Sequence, residues 1–394
     1  MTMSALMPSL FKGLEEEPIS GERALRLDKT GILPAQAIRT LIDVEEIRAA
    51  PRIDPTQVQP ASLDLRLGRV AYRVRASFLP GPKCSVKQKL QDLSYHQIDL
   101  RQGAVLESGF VYVVPLIESL ALRSTISGFA NPKSSTGRLD IFTRLIADNC
   151  SSFDYVPEGY EGGLFAEICP RAFSIFAKMG SSLNQLRFRR RIPHRQEENT
   201  GRVRDRELRD LRPQLAEGDA TVSRGLNLSV DLSKRTRSGV VGYKAKRYAP
   251  VLDLDKVGFY KVGDFWDEIY SEGDGRLVLD PREFYILASK ENVTVPPDYV
   301  AEMAPFDPTI GEYRVHYAGF FDPGFGYSPE SPAGAKAVLE VRSLDIPFIL
   351  EDGQKVGRLK YEKLIAPADT LYGQGTGSHY QAQGLKLSKH FKQE

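Results

Sequence analysis

Short apolar and aromatic runs, cut by Gly, Pro or Asp, set the rhythm of this chain: Val111-Tyr-Val-Val-Pro-Leu, Phe284-Tyr-Ile-Leu and Ala337-Val-Leu-Glu-Val are examples. Runs rich in β-branched and aromatic residues between such breakers read as strands. Many of them at close spacing predict a mostly β protein, built as two domains of the barrel or jelly-roll type with a few short helices. Helical spacing is plainest over residues 35–49, where Ile38, Leu41, Ile42 and Ile47 fall on one face.

The pattern occurs twice. Glu167-Ile-Cys-Pro-Arg-Ala-Phe-Ser-Ile-Phe-Ala-Lys-Met-Gly180 aligns with Glu340-Val-Arg-Ser-Leu-Asp-Ile-Pro-Phe-Ile-Leu-Glu-Asp-Gly353 at a constant offset of 173. The same offset pairs Leu186 with Leu359 and Phe188 with Tyr361. Duplicated domains can divide one site between them, so what each copy keeps locates the chemistry. The boundaries expected are an extension over residues 1–30, a first domain over 31–190, a charged linker over 191–220 and a second domain over 221–394.

Composition narrows the class. The chain has 394 residues, enough for two domains that each bury a core, and a net charge of +2, too small to steer it globally toward nucleic acid or membrane. Cys84, Cys150 and Cys169 form no Cys-x-x-Cys, which fits a reducing cytoplasm rather than a disulfide scaffold. The first twenty residues hold Glu15-Glu16-Glu17 and no basic-then-apolar signal pattern. The arginine-rich stretch from Arg187 to Arg212 includes Arg189-Arg190-Arg191. It reads as a phosphate or nucleic-acid patch or, with Glu197, Glu198, Asp205 and Glu207 interspersed, as a solvated linker or helix; no aromatics beyond Phe188 interleave, which favours the latter.

Four motifs carry chemistry. Gln59-Pro-Ala-Ser-Leu-Asp-Leu-Arg-Leu-Gly68 has a weaker partner in Leu226-Asn-Leu-Ser-Val-Asp-Leu232, matching Asp64 to Asp231. Pro132-Lys-Ser-Ser-Thr-Gly-Arg138 offers hydroxyls, backbone N–H groups and cations in a tight turn, a set suited to phosphate. Tyr317-Ala-Gly-Phe-Phe-Asp-Pro-Gly-Phe325 precedes Val338-Leu-Glu-Val341, and the tail holds His379-Tyr-Gln-Ala-Gln-Gly384. In this order the four resemble the dCTP deaminases, relatives of the trimeric dUTPases, from about Gly31 onward.

The resemblance implies a dUTPase-like fold and hydrolytic deamination of dCTP to dUTP and ammonia, feeding dUMP and dTTP synthesis. It implies Glu340 as the group that activates water and carries the proton, with Arg138 steadying both. It implies that the backbone of Ala318 meets the base and Asp322 the sugar. Lys133, Ser134, Ser135, Tyr380 and Gln383 would hold the triphosphate, which arrives with Mg²⁺. Lys133 and His379 depart from the family's usual arginine and lysine, changing a forked donor to a point charge and making a contact pH-sensitive. In the family's trimers each site joins one subunit's phosphate loop to its neighbour's hairpin. Here the first copy keeps the loop but has Tyr155-Val-Pro-Glu-Gly-Tyr160 for its hairpin, whereas the second keeps hairpin and tail but has Ala304-Pro-Phe-Asp-Pro-Thr-Ile-Gly311 for its loop. A composite site follows, with Glu167 either a relic or the centre of a second site.

A zinc deaminase is not expected: none of the five histidines has glutamate two residues on, and the Pro-Cys-x-x-Cys partner is absent. A buried glutamate with a raised pKa can do the same acid–base work. Two other readings stay open: a dUTPase, alone or combined with deamination, and a non-catalytic nucleotide-binding regulator. No nucleic-acid or membrane partner is expected, and a homo-oligomer remains open.

Overall fold

The computed structural model describes residues 29–192, 201–217, 220–233, 239–271, 275–305, 313–316, 319–328, 334–375 and 378–392. The expected β architecture is present as two copies of one two-sheet unit. In the first copy one sheet runs Tyr155–Val156, Ile126–Pro132, Ser182–Arg190, Ser62–Arg66. The second copy repeats that order with Phe320–Phe321, Tyr299–Pro305, Lys355–Lys363, Leu226–Ser229. The other sheets correspond likewise: Ile141–Ala147, Glu161–Pro170, Val111–Ala121, Val70–Val74, Ser94–Asp99 against Tyr313–His316, Ala335–Ser343, Phe284–Val293, Val240–Ala245, Trp266–Tyr270. The 173-residue offset is kept by two neighbouring strands, Ile126–Pro132 onto Tyr299–Pro305 and Ser182–Arg190 onto Lys355–Lys363.

Strand register corrects one expectation. Asp64 pairs with Gln185, and the residue 173 further on, Arg358, pairs with Asn227. Asn227, not Asp231, therefore stands where Asp64 does. The local offset is 163 (227 − 64) rather than 173, so the second copy holds ten extra residues between Ser229 and Phe284. A motif matched by composition alone slid by four positions. Asp231 lies past the strand, its carboxylate on Ser233 and Lys336.

The helix expected over 35–49 is shorter. Ala35–Asp43 is helical and buries Ala35, Ala37, Ile38 and Leu41. Glu45 then takes a left-handed φ of 59°, and Ile47 begins a strand. Within the stretch read as a charged linker, Asp205–Leu215 forms a helix. Its Leu208 and Leu215 pack with Leu226, Leu228 and Leu339 in the second copy's core. Arg189 donates to Glu362 at 2.7 Å, the residue 173 positions on, while Glu197 and Glu198 lie outside the described residues. Asp205 instead accepts from the N–H groups of Arg224 and Gly225, and Glu207 pairs with Lys363.

The two copies are welded together. One hydrophobic cluster takes Tyr112, Ile168 and Phe173 from the first and Phe265, Trp266, Phe284 and Ile286 from the second. Among the described residues five ion pairs cross the seam: Arg189 to Glu362, Arg187 to Asp322 at 2.8 Å, Arg342 to Asp140, Arg39 to Asp369 and Lys178 to Asp255. Arg187 also lies over the Phe320 ring at 3.9 Å. Among the described residues no helix is long and apolar enough to cross a membrane.

Asp140 and Arg342 are both buried, so removing one partner strands a charge in a low-dielectric seam. Arg342→Leu should cost about 3–5 kcal/mol in denaturant unfolding. The double variant with Asp140→Asn should recover much of that loss. Equal destabilisation by single and double variants would show that the pair itself carries nothing.

Candidate active site

The sheet that ends in Pro132 turns directly into Ser134–Gly137, a single helical turn that leaves Ser134 and Ser135 at the mouth of a cleft. Arg138 follows on the inward side, 4% exposed. It reaches across to the tail of the second copy. Its Nη1 donates to the Lys386 carbonyl at 2.8 Å and its Nη2 to Gln383 Oε1 at 2.9 Å, while the guanidinium stacks on the Tyr380 ring at 3.8 Å.

Two adjoining chambers result. The outer one, about 270 Å³, is lined by Asp64, Lys133, Ser134, Ser135, His379, Tyr380 and Lys389. The inner one, about 40 Å³, is room for ordered water and is lined by Arg138, Phe320, Asp322, Val338, Glu340 and Gln383. They share Ser134, Phe320, Asp322, Tyr372 and Tyr380. A cationic, hydroxyl-bearing vestibule thus opens on a small inner chamber that holds two acids, Asp322 and Glu340.

The strand of Glu340 places it opposite Ile286, facing inward. Burial pushes its carboxyl up to about 8, against the opposing pull of the Arg138 guanidinium. A group held there is neutral at pH 7 yet one proton from a base, the condition for shuttling protons near neutrality. Asp322 is likewise pushed up by burial, with Arg187 pulling it back through the 2.8 Å contact. Lys133 pairs with Asp64 Oδ2, and Asp64 Oδ1 is buried with no hydrogen-bond partner among the described residues.

Of the residues singled out from sequence, Lys133, Ser134, Ser135, Arg138, Asp322, Glu340, Tyr380 and Gln383 all line these two chambers. Ala318 lies outside the described residues; its neighbour Gly319 borders the inner chamber. Glu167 lines neither. It is 1% exposed on Glu161–Pro170, close to Ser77 and Phe78, and its Oε2 is buried with no hydrogen-bond partner among the described residues. Burial raises its pKa against the downward pull of Ser77, of Arg144 opposite it and of Phe78.

Sequence reasoning missed Lys389, Lys386 and Arg187. The lysines carried no signal, since tails of this composition are common. Arg187 sat inside a stretch read as linker charge, although the 173-residue offset placed it on a strand. His379 stands half-buried among cations. Burial, then Lys389, Lys386 and Lys133, hold its pKa below the usual range. An anion in the outer chamber would relieve that repulsion.

Comparison with known proteins agrees with this arrangement. Residues 29–192 match the model of the 2'-deoxycytidine 5'-triphosphate deaminase N-terminal domain, and residues 203–391 match its C-terminal domain. A dCTP deaminase of Natronomonas pharaonis is 32% identical over 127 residues, covering 31% of this chain and 60% of the relative. A dUMP-forming dCTP deaminase of Halobacterium salinarum matches with the same identity and coverage. The chain thus spans about 60% of the length of these curated relatives. The crystal structure of 2'-deoxycytidine 5'-triphosphate deaminase from Agrobacterium tumefaciens is 51% identical, with a TM-score of 0.80 over 85% of this chain and 99% of that one. With both copies matched by the family's domain models, the chain belongs to the dCTP deaminase family.

Proposed function

We propose that this protein deaminates dCTP, exchanging the 4-amino group of cytosine for oxygen from water and releasing ammonia. The observation that carries this reading is Glu340, a carboxyl at about 8 in the inner chamber behind a cationic vestibule. The vestibule suits a triphosphate, and the inner chamber suits the attacking water beside the edge of a base. As carboxylate, Glu340 takes a proton from the attacking water while oxygen bonds to C4. That proton passes to ring N3, where the uracil product keeps it; the second water proton leaves the C4 hydroxyl through Glu340 for the departing amine as the C4–N bond breaks, and Glu340 ends as it began. Arg138, fixed by the tail, orients Glu340 and the water; such acid–base positioning typically supplies about 10² to 10⁴ in rate.

Ser134, Ser135, Lys133, Tyr380 and Gln383 hold the phosphates, Asp322 the sugar, and the backbone at Ala318 the base edge. No zinc is needed for these steps. Mg²⁺ enters with the triphosphate and neutralises its charge there. Among the described residues no cluster of three or more His, Cys, Asp or Glu is built for a metal, so the ion keeps mostly phosphate and water ligands. The unpartnered Asp64 Oδ1 fits a hydrogen bond from such a water. Release as dUMP rather than dUTP is the second reading, favoured by the dUMP-forming name of the Halobacterium relative.

Incubation of the protein with dCTP and Mg²⁺, with and without a zinc chelator, should yield dUTP or dUMP on chromatography, equally in both. Glu340→Gln should lower kcat by about 10²-fold or more, whereas Glu167→Gln should keep most activity. Full activity in the Glu340 variant would sink the assignment.

Two pH dependences follow from one pKa. The carboxylate is the active form, so kcat/KM should climb with pH through about 8 and then level. Stability runs the other way. The folded value of about 8 exceeds the ordinary 4.5, so the contribution is fully present below 4.5 and is lost as pH rises through 8. Glu340→Gln should accordingly raise the melting temperature relative to wild type at pH 9 and hardly at pH 4. Parallel melting curves at both pH values would contradict a raised Glu340.

A further inference from the structure

Beyond the residues that face the chambers, residues 388–392 run into a socket. Phe391 is 2% exposed, its ring 5.4 Å from Phe265, 6.0 Å from Trp266 and 6.4 Å from Tyr260. Phe173 of the first copy completes the cluster, 5.3 Å from Phe265 and 5.4 Å from Trp266, all edge-on. Such ring pairs add to their area burial. Backbone bonds fix the same residues: Phe259 and Tyr260 N–H donate to the His390 carbonyl at 2.9 and 3.1 Å, and Lys392 N–H donates to the Tyr260 carbonyl at 2.9 Å.

His390, also buried, bridges onward. Its Nε2 lies 3.1 Å from the Leu254 carbonyl, which can only accept, so the ring hydrogen sits there. The Ser388 hydroxyl donates to the Ser135 carbonyl in the phosphate loop at 2.9 Å and lies 2.9 Å from His390 Nδ1. The socket residues Leu254, Tyr260, Phe265 and Trp266 lie in the second copy on the stretch that links Val240–Ala245 to Trp266–Tyr270 and includes the start of the latter.

We propose that this linking segment is a fixed anchor for the arm, with Phe391 and His390 as positioning residues and Lys389 as a further phosphate-binding residue. Lys389 lines the outer chamber beside Lys133 and His379, and its N–H donates to the Tyr380 hydroxyl at 3.1 Å. Held on both sides, by Arg138 at Gln383 and Lys386 and by the socket at Phe391, the arm is ordered before nucleotide arrives. A loose arm would lose that freedom on binding, at a cost in affinity. The nucleotide role rests on the proposed deamination; the anchor itself does not.

Trp266 is the chain's single tryptophan and is buried against Phe391, so its emission reports the anchor without turnover. In Phe391→Ala the emission should shift to the red, and the Kd and KM for dCTP should rise roughly tenfold, with kcat at saturation kept. Phe391→Tyr should rescue both readouts, and Phe391→Leu, which keeps an apolar plug, should fall between. Lys389→Gln should raise Kd and KM with emission unchanged. Unchanged emission in Phe391→Ala would overturn the anchor, and shifted emission with unaltered Kd and KM would overturn its positioning role. Wild-type protein that neither binds nor converts dCTP would defeat the proposed function and the nucleotide role together, the emission still deciding the anchor.

Discussion

The site depends on where one guanidinium is held. Arg138 belongs to the first copy, yet it acts against the second copy's Glu340 and is gripped by the arm through Lys386, Gln383 and Tyr380. Its charge partly offsets the burial of Glu340, and its donors tie down a tail that would otherwise stay mobile. A neutral group there would leave the glutamate more firmly protonated and the arm unfastened in its middle. Three pieces distant in sequence are thereby made into one chemical unit.

Much of this could be read from the chain because duplication supplies its own control. The conserved offset of 173 aligned Glu167 with Glu340, and the two strand sets superpose in the same order. The complementary losses, a hairpin in one copy and a loop in the other, pointed to a shared pocket, and Ser134, Ser135, Arg138, Asp322 and Glu340 line it. Strand alternation then explains why Glu340 points inward, a consequence of period-two geometry rather than of the glutamate itself.

What stayed hidden depended on register or on long-range packing. Asn227 replaces Asp64's counterpart because pairing with Arg358, not local similarity, sets the correspondence. Glu167 looked equal to Glu340 in sequence. Only the fold shows that it lies beside Ser77 and Phe78, away from both chambers. Trp266 and Phe391 lie more than a hundred residues apart, and no one-dimensional pattern announces that one is the wall of the other's socket. The helix at Asp205–Leu215 hid behind its charges, since its two buried leucines are a thin apolar stripe.

The Arg189–Glu362 pair carries a consequence for descent. The two residues occupy equivalent positions of the repeated unit and meet each other across the seam. In an assembly of identical units, self-meeting positions would confront arginine with arginine or glutamate with glutamate. Opposite charges there are attainable only once the halves are distinct and travel in one chain. The substitution thus acts as a ratchet: each half now repels its own kind at that contact, and an ancestor of separable subunits is no longer reachable by simply cutting the chain.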